Sequence, residues 1–453
     1  KNWPINLPTS LTSFLTLEFL FLLETQNKNT LSNYKSGLDF ALEQDQNDEL
    51  ASYRNQFHFP KDKNGHDCIY MTGNSLGLQP KRTKDYVNAV MDDWANLAVE
   101  GHFNGKNPWL SYQEGLGESM AKIIGAKPLE VVVMNTLTAN LHFLMASFYK
   151  PTKSRYKILI EADAFPSDKY AVESQLRHHG FDDKEGLVLW TAPKNEELVN
   201  FKDLETILET QGHEIALILI GAVNYYTGQF YDLKRITELG HKQGCIVGFD
   251  CAHGAGNVAL NLHDSGADFA SWCTYKYLNS GPGSIAACFV HERHAYNKNL
   301  NRFAGWWGHN KETRFRMRDD FDQLAGAAGW QLSNPPVLSL AAIKASLEIF
   351  NEVGMEKLIK KSKNLTGYLE FLLKQLGEDA IKIITPNNPQ ERGCQLSIFI
   401  KNADKTLHDK FTEAGVISDW REPNVIRCAP APLYNSYQDV YYLVERLKSI
   451  LNE

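Results

Sequence analysis

The chain has 453 residues, of which 43% are hydrophobic, and its 47 basic and 54 acidic side chains give a net charge of −7. A chain well above about 250–300 residues predicts two domains, each with its own hydrophobic core. The net acidity and the lack of a basic stripe argue against nucleic acid or an anionic membrane surface as a partner. The seven cysteines show no CxxC spacing, which is typical of reduced thiols in a cytoplasmic protein.

The apolar segment Leu11–Leu23 is too short to span a bilayer, and it carries Glu18 in its middle. It also lacks a small-residue cleavage site of the kind that ends a secretory signal. We therefore expect a buried amphipathic helix here, within an N-terminal arm over residues 1–70, and no membrane association.

Six short apolar runs between about residues 85 and 335 alternate with helical stretches such as Leu233–Lys242. Because these runs do not alternate with polar residues, they predict strands that are buried on both faces of a mostly parallel sheet. The runs are Val131–Met134, Lys157–Ile160, Leu187–Trp190, Ala216–Ile220, Cys245–Phe249 and Phe269–Cys273. This rhythm predicts an α/β fold with a large domain over residues 71–335.

A second region follows Ser333-Asn334-Pro335-Pro336 and opens with a helix-forming stretch over residues 339–350. It holds further helices and two strand-like runs, Gln395–Ile400 and Asn424–Arg427. We predict a smaller C-terminal α/β domain over residues 336–453, against which the N-terminal arm packs.

Polar side chains follow several predicted strands, at the edge where open α/β sheets bind ligands. Asp250 ends one apolar run, and Lys276 lies 26 residues later in a Gly-terminated turn beside Trp272 and Tyr275. Most single aspartates and lysines are solvated surface groups, but these aromatic neighbours favour a buried role. Pyridoxal phosphate needs a lysine amine to bond to its aldehyde carbon and a carboxylate to keep its ring nitrogen protonated. The pair therefore predicts a site for this cofactor.

Two further strand ends offer groups that suit such a cofactor. Asn135-Thr136-Leu137-Thr138 opens a helix whose free N–H groups fit a phosphate, although an ordinary helix cap explains this motif better when it is taken alone. Phe165-Pro166-Ser167-Asp168 offers a ring to stack on a planar cofactor and a second polar contact, although a lone Phe is usually a core residue.

Taken in order, these motifs resemble those of kynureninase, a family of fold-type-I pyridoxal-phosphate enzymes, in its animal-like form. The resemblance extends from about residue 50 to the C-terminus. The motifs that carry it are Gly73-Asn74-Ser75-Leu76-Gly77, Glu100-Gly101-His102, Leu137-Thr138, Phe165-Pro166-Ser167-Asp168, Tyr225-Tyr226-Thr227-Gly228-Gln229, Asp250-Cys251-Ala252-His253, Thr274-Tyr275-Lys276-Tyr277, Gly305-Trp306-Trp307-Gly308-His309 and Ser333-Asn334-Pro335-Pro336.

The resemblance implies an aminotransferase-like fold type I and pyridoxal 5′-phosphate as the cofactor. It implies hydrolysis of the Cβ–Cγ bond of 3-hydroxykynurenine or kynurenine, which yields alanine and an anthranilate in tryptophan catabolism and NAD biosynthesis. In the family's pattern, Lys276 would bond to the cofactor and move protons, and Asp250 would face the ring nitrogen with support from His253. Phe165 would stack on the ring, and Tyr275 would carry a proton.

The same pattern gives roles to the remaining candidates. The amides of Leu137 and Thr138, with the Tyr275 hydroxyl, would hold the phosphate, and Ser167 and Asp168 would complete the cofactor site. A further set would bind the substrate or come from the neighbouring subunit. In this set Arg427 would bind the substrate α-carboxylate with its planar guanidinium group. Trp306 and Asn334 would come from the partner subunit of a homodimer. The pocket for the aromatic end, which would favour 3-hydroxykynurenine, would be lined by Ser75, His102 and Asn334.

The chain departs from the expected pattern at two positions. Gly221 stands where a serine that touches the cofactor is expected, and Trp307 stands where a phenylalanine is expected. Neither departure removes a catalytic group.

Three other hypotheses compete with this one. A cysteine desulfurase of the same superfamily would need a nucleophilic cysteine on a mobile loop, for which Cys394 is the best candidate, although it begins a predicted strand and fits a core position. A catalytically inactive scaffold of the same fold would bind partners instead, but the intact pair of Lys276 and Asp250 argues against it. A metal site from Cys251, His253 and Cys273 matches no zinc spacing.

Overall fold

A computed structural model describes residues 34–452 of the chain, and the helix expected over Leu11–Leu23 lies outside these residues. The helices are α1 (Leu38–Gln46), α2 (Thr83–Leu97), α3 (Gly101–Asn104), α4 (Glu114–Ile124), α5 (Leu137–Phe148), α6 (Pro166–His178), α7 (Asp183–Gly186), α8 (Phe201–Gln211), α9 (Leu233–Lys242), α10 (Leu262–Ser265), α11 (Val337–Val353), α12 (Met355–Lys374), α13 (Lys405–Glu413) and α14 (Tyr437–Leu451). The strands are β1 (Ile69–Tyr70), β2 (Val131–Val133), β3 (Lys157–Glu161), β4 (Leu187–Trp190), β5 (Ile215–Gly221), β6 (Ile246–Asp250), β7 (Phe269–Trp272), β8 (Ala287–Val290), β9 (Ile381–Ile383), β10 (Leu396–Ile400), β11 (Val416–Ile417), β12 (Asp419–Arg421) and β13 (Val425–Cys428).

Seven strands form the central sheet in the order β2-β8-β7-β6-β5-β3-β4. The ladders that join β4, β3, β5, β6 and β7 are all parallel, whereas β8 runs antiparallel to both β2 and β7. Alternate residues of β5 enter two different hydrophobic clusters, Ile218 and Ile220 in one and Leu217 and Leu219 in the other. Because both faces of the sheet are buried, its strands are continuously apolar. The prediction of a mostly parallel α/β sheet is confirmed.

Each of the six predicted strand runs matches an observed strand to within one residue at either end. Strand β8 has no counterpart among the predicted runs. It follows β7 after a loop over residues 273–286 that contains no helix, and an antiparallel strand does not require a crossover helix whose pattern would mark it in the sequence.

The C-terminal part of the chain holds a four-stranded antiparallel sheet in the order β12-β13-β10-β9. Side chains of β10, β13, α12 and α14 form one hydrophobic cluster, which also takes in Ala41 of α1 and Ile69 of β1. Strand β1 pairs in parallel with β11, so that Ile69 lies opposite Val416. Ala41 and Ile69 of the predicted arm thus pack on this part, while an arm over residues 1–70 and domain boundaries at residues 70 and 335 stay predictions.

Two further observations concern membrane-spanning helices and disulfide bonds. Within residues 34–452, no helix is long and apolar enough to cross a membrane. All seven cysteines are buried and free.

Candidate active site

The carboxyl ends of three adjacent strands, β3, β5 and β6, carry Glu161, Gly221 and Asp250. Gly221 lies opposite Asp250 in the β5–β6 ladder, and Lys276 follows the neighbouring strand β7 in a turn. Strand ends of a parallel sheet meet at one edge, so Asp250 and Lys276 are brought to the same place. Both line a cavity of about 360 Å³.

Most of the candidate site residues line this one cavity, although they come from widely separated parts of the chain. Those that do so are Ser75, Leu137, Thr138, Phe165, Ser167, Asp168, Asp250, His253, Tyr275, Lys276 and Arg427.

The amine of Lys276 is held between an imidazole and an aromatic ring. Its Nζ lies 2.9 Å from Nε2 of His253 and 5.9 Å from the centroid of the Phe165 ring. Burial lowers the pKa of His253 well below its ordinary value, and the positive charges of Lys276, Arg427 and Arg421 lower it further. A neutral imidazole can accept a hydrogen bond from a lysine ammonium. The other ring nitrogen, Nδ1, is buried and lacks a hydrogen-bond partner among the described residues.

The carboxyl of Asp250 is fixed by its own loop and by a second acid. Its Oδ1 accepts the N–H of Ala252 at 2.7 Å, and it shares a hydrogen bond with Asp168 in the first turn of α6. Burial raises the pKa of both carboxyl groups, and the charge of Asp250 raises the pKa of Asp168 further. A cationic ring nitrogen would relieve this repulsion, so the acid pair fits a pyridinium.

Two helix N-termini converge on the cavity. The first turn of α5 contributes Leu137 and Thr138, and the first turn of α6 contributes Ser167. The hydroxyl oxygens of Thr138 and Ser167 lie 3.0 Å apart and join the two turns. The first N–H groups of a helix have no partner within the helix, so the two turns together fit a phosphate.

Burial, together with Cys273, raises the pKa of Tyr275, whose hydroxyl therefore stays a donor.

The turn that carries the lysine is packed against the Gly73–Gly77 segment. The N–H of Gly77 donates to the carbonyl of Tyr275 at 2.8 Å. A Cβ atom at Gly77 would lie 2.3 Å from the carbonyl oxygen of Lys276, so this close approach requires glycine. The approach brings Asn74 and Ser75 to the cavity wall.

Arg427 of β13 and Arg421 of β12 share one carboxylate. The buried Arg427 donates from Nη1 to the carbonyl of Tyr225 at 2.6 Å and pairs through Nη2 with Asp419. Asp419 also pairs with Arg421, at 3.0 Å between Nε and Oδ1. Both guanidinium groups line the cavity, which leaves a net positive charge beside it. No motif marks Arg421 in the sequence; it reaches the cavity because the β12–β13 register sets Asp419 opposite Arg427.

Glu161 also lines the cavity and was not among the predicted site residues. Its carboxyl oxygens accept the N–H of Gly221 at 3.1 and 3.2 Å. Burial raises its pKa to about 7. A Cβ atom on Gly221 would lie 2.8 Å from Oε1 of Glu161, so the acid occupies space that the expected serine would enter. Its position directly after an apolar run, like that of Asp250, is the signal that identifies it.

Three predicted residues lie outside the cavity of the single chain. His102 packs edge-on against Trp109, with 5.1 Å between the ring centroids, and its Nδ1 is buried with no partner among the described residues. Trp306 and Asn334 line a separate, shallow depression of about 560 Å³. Trp306 is 39% exposed there, whereas its neighbour Trp307 is a core residue.

The residues that the rival hypotheses require do not lie in the surroundings that those hypotheses predict. Cys394 is fully buried in a small apolar cluster with Tyr277 and Ala429, which fits a core position and not a mobile nucleophile. The imidazole of His253 is engaged with Lys276 rather than with Cys251 and Cys273. Among the described residues, the group with ligand atoms close enough to hold a metal ion lies elsewhere and consists of Glu130, His263 and His291.

Similarity to known proteins covers nearly the whole chain. A family model described as the kynureninase C-terminal domain matches residues 358–447. The chain is 54% identical over 418 residues to the kynureninase of Flavobacterium psychrophilum, an alignment that covers 92% of this chain and 98% of that protein. It is 53% identical over 420 residues to the kynureninase of Myxococcus xanthus, with 93% and 99% covered.

Solved structures share the fold at much lower identity. A C-DES mutant with glycine covalently linked to its PLP cofactor superposes with a TM-score of 0.73 at 15% identity, over 87% of this chain and 98% of that one. The cysteine desulfurase CsdA of Escherichia coli gives a TM-score of 0.72 at 16% identity, over 89% and 98%. These likenesses show the fold type, whereas the identities of 54% and 53% over more than nine-tenths of the sequence show that the chain belongs to the kynureninase family.

Proposed function

We propose that the cavity at the strand ends is the site at which this chain hydrolyses the Cβ–Cγ bond of kynurenine or 3-hydroxykynurenine. Members of this family are hydrolases of carbon–carbon bonds in ketonic substrates, and pyridoxal 5′-phosphate is their cofactor. The observation that carries the proposal is the placement of Lys276, Asp250 and Arg427 around one cavity. An amine, a carboxylate and a guanidinium are the three groups that anchor the cofactor, hold its ring charge and bind an amino-acid carboxylate.

The unpartnered Nδ1 of His253, the acid pair and the two helix N-termini all fit the cofactor. When bound, it supplies an electron sink for the pair released next to the substrate nitrogen. We assign the covalent bond to Lys276, the contact with the ring nitrogen to Asp250 and the cover of one ring face to Phe165. The first turns of α5 and α6 and the hydroxyl of Tyr275 would hold the phosphate.

Proton movement falls to Lys276 and the groups around it. Its amine would take the proton from Cα of the bound substrate, and His253 keeps Nζ in place through the 2.9 Å contact. Water adds to the Cγ ketone before the Cβ–Cγ bond breaks, and Tyr275 is the proton carrier for that part of the reaction. Arg427, backed by Arg421, holds the α-carboxylate and so fixes Cα beside the lysine.

The active unit is a homodimer with shared sites. Trp306 and Asn334, which the family pattern sends to the cofactor and substrate, lie on the surface and away from the cavity of their own chain. Phe303 lines the same depression and Phe315 packs edge-on against Trp306, and these two side chains are 58% and 55% exposed. Apolar side chains exposed together at a surface are typical of an interface, and a second copy would carry these residues towards the cavity of the first.

We assign the enzyme to the cytoplasm on the evidence of its thiols. Seven free, buried cysteines suit a reducing compartment, where disulfides do not form.

The reaction is tested by incubating purified protein with pyridoxal phosphate and either 3-hydroxykynurenine or kynurenine. We expect the hydroxyanthranilate or anthranilate product together with an equal amount of alanine. Lys276→Ala provides the negative control. Alanine release from cysteine, without any anthranilate from the kynurenines, would contradict the proposal and favour desulfurase chemistry.

A further inference from the structure

The carboxyl of Glu161 is held at the cavity wall by the end of the neighbouring strand. Only 4% of this residue is exposed, and both carboxyl oxygens accept the N–H of Gly221. Gly221 lies opposite Asp250 in the next ladder, so Glu161 and Asp250 stand at the same sheet edge with one strand end between them. Both acids line the same cavity.

Glu161 is the third carboxyl group that lines the cavity, beside Asp168 and Asp250. Asp168 and Asp250 share a hydrogen bond, and the Lys276 ammonium acts on both. The charged groups that act most strongly on Glu161 are Asp250 and Asp163, and Glu161 in turn raises the pKa of Asp168 and Tyr231. None of these is a cation, so burial and the neighbouring acids disfavour its ionised form, and only the Gly221 N–H and its own backbone amide favour it.

We propose that Glu161 is a positioning residue for the cofactor ring, which acts through Asp250 by adding a negative charge to the ring-nitrogen end of the site when ionised and removing it when protonated. This inference rests on the proposed cofactor site and adds to it an acid outside the set implied by the family motifs. Gly221 is part of this arrangement, because it has no side chain and the Glu161 carboxyl occupies the space that a Cβ atom would need.

The pH dependence follows from the sign of the charge. Burial raises the pKa of Glu161 from its ordinary 4.5 to about 7. Above that pH the site holds one more negative charge, so a cofactor with a cationic ring binds more tightly. Below that pH, the carboxyl is neutral and no longer increases the affinity for the cofactor. Glu161→Gln keeps an acceptor for the Gly221 N–H but has no charge at any pH.

The test measures the dissociation constant of pyridoxal phosphate by quenching of protein fluorescence, from pH 6 to pH 8.5. We expect wild-type affinity to exceed that of Glu161→Gln by roughly three- to tenfold at the upper end, since a displacement of one pKa unit corresponds to a factor of ten. At pH 6 the two proteins should bind equally. The absorption band of the bound cofactor should titrate at a lower pH in Glu161→Gln, because the missing charge no longer favours the protonated form.

A second readout needs no cofactor. An acid whose pKa is raised on folding, from an ordinary 4.5 to about 7, destabilises the folded state progressively as pH rises between these values. The melting temperature of apoprotein should therefore decline less over this range in Glu161→Gln than in wild type. Glu130→Gln is the matched control, because Glu130 is equally buried but bonded to His263 and lies outside the cavity. Its loss should lower stability without altering the pH dependence of cofactor affinity.

Equal pH dependence of affinity in wild type and folded Glu161→Gln overturns the inference. If Glu161→Gln does not fold, Gly221→Ala decides, since its Cβ would displace the carboxyl and is expected to weaken the same pH dependence. An unchanged profile in Gly221→Ala would then count against Glu161. Absence of any lysine-bound cofactor in the wild-type protein would instead overturn the proposed cofactor site.

Discussion

The Nζ of Lys276 and the Nε2 of His253 lie 2.9 Å apart, in a place where burial keeps the imidazole neutral. The lysine comes from the turn after β7 and the histidine from the loop after β6, so the two side chains meet only because adjacent strands end at the same edge. A neutral acceptor beside the amine orients it without adding a second positive charge. Among the lysines that the structure describes, Lys276 is the one that lines this cavity, which favours it as the group for covalent chemistry.

Lys276 should carry the cofactor. Borohydride reduction of the holoenzyme, followed by peptide mapping, is expected to place the pyridoxyl label on the peptide that contains Lys276. Lys344, whose Nζ lies over the ring of Tyr112 away from the cavity, provides an internal comparison. A label on any lysine other than Lys276 would refute the assignment.

Asp250→Asn should retain the cofactor but lose most of the activity, because a neutral amide cannot hold the ring nitrogen protonated. A tenfold loss in rate corresponds to roughly 1.4 kcal/mol, and a charge-assisted bond in a buried site should exceed this value. The measurement is kcat at saturating cofactor, alongside the absorption spectrum. Turnover close to that of wild type would mean that another group holds the ring nitrogen.

The sequence predicted the groups that sit in motifs but not those that reach the site through strand pairing. Apolar runs located the parallel strands because burial on both faces leaves them no polar residues. Asp250 and Lys276 followed from chemistry at the strand ends. Arg421, by contrast, joins the cavity only through the β12–β13 register, which no local pattern encodes.

Contacts between distant parts of the chain are also not encoded in any local sequence pattern. The pairing of Ile69 with Val416 joins two-residue strands that are too short to show a period. The sequence places Glu161 at a strand end, as it does Asp250, but the contact of its carboxyl with the Gly221 N–H depends on the pairing of β3 with β5. His102, Trp306 and Asn334 do not line the cavity within one chain, and this placement is the reason that we propose a site shared between two subunits.

Arg427→Lys should raise KM for the kynurenines by roughly ten- to a hundredfold with a smaller effect on kcat, because a lysine cannot reproduce a bidentate contact with a carboxylate. Arg421→Lys should have a weaker effect of the same kind, since Arg421 is about one-third exposed while Arg427 is buried. Steady-state kinetics of the two variants give the comparison. A larger increase in KM for Arg421→Lys than for Arg427→Lys would mean that Arg421 binds the carboxylate and Arg427 supports it.

Shared sites predict complementation between two inactive variants. A Lys276→Ala subunit lacks the covalent anchor, and a Trp306→Ala subunit lacks the ring that we assign to the partner's site. In a mixed dimer one of the two sites would have both groups, so mixing should restore part of the activity. Mass spectrometry of the mixture shows whether heterodimers have formed. Heterodimers that remain inactive would contradict the composite site.

The enzyme should prefer 3-hydroxykynurenine to kynurenine. The buried Nδ1 of His102 has no partner among the described residues, and Asn334 carries an exposed carboxamide that a second subunit would bring to the pocket. A phenolic hydroxyl could satisfy both groups, whereas a substrate without it would leave them unpaired at a cost of about 1–3 kcal/mol for a buried group. The ratio of kcat/KM for the two substrates, in wild type and in a His102→Leu/Asn334→Leu double variant, tests this assignment. Gln331→Leu is a suitable control, because Gln331 lies in the same segment as Asn334 but is buried and bonded to the carbonyl of Ala328. A wild-type preference for kynurenine, or an unchanged ratio in the double variant, would show that other residues select the substrate, while the reaction itself would stand.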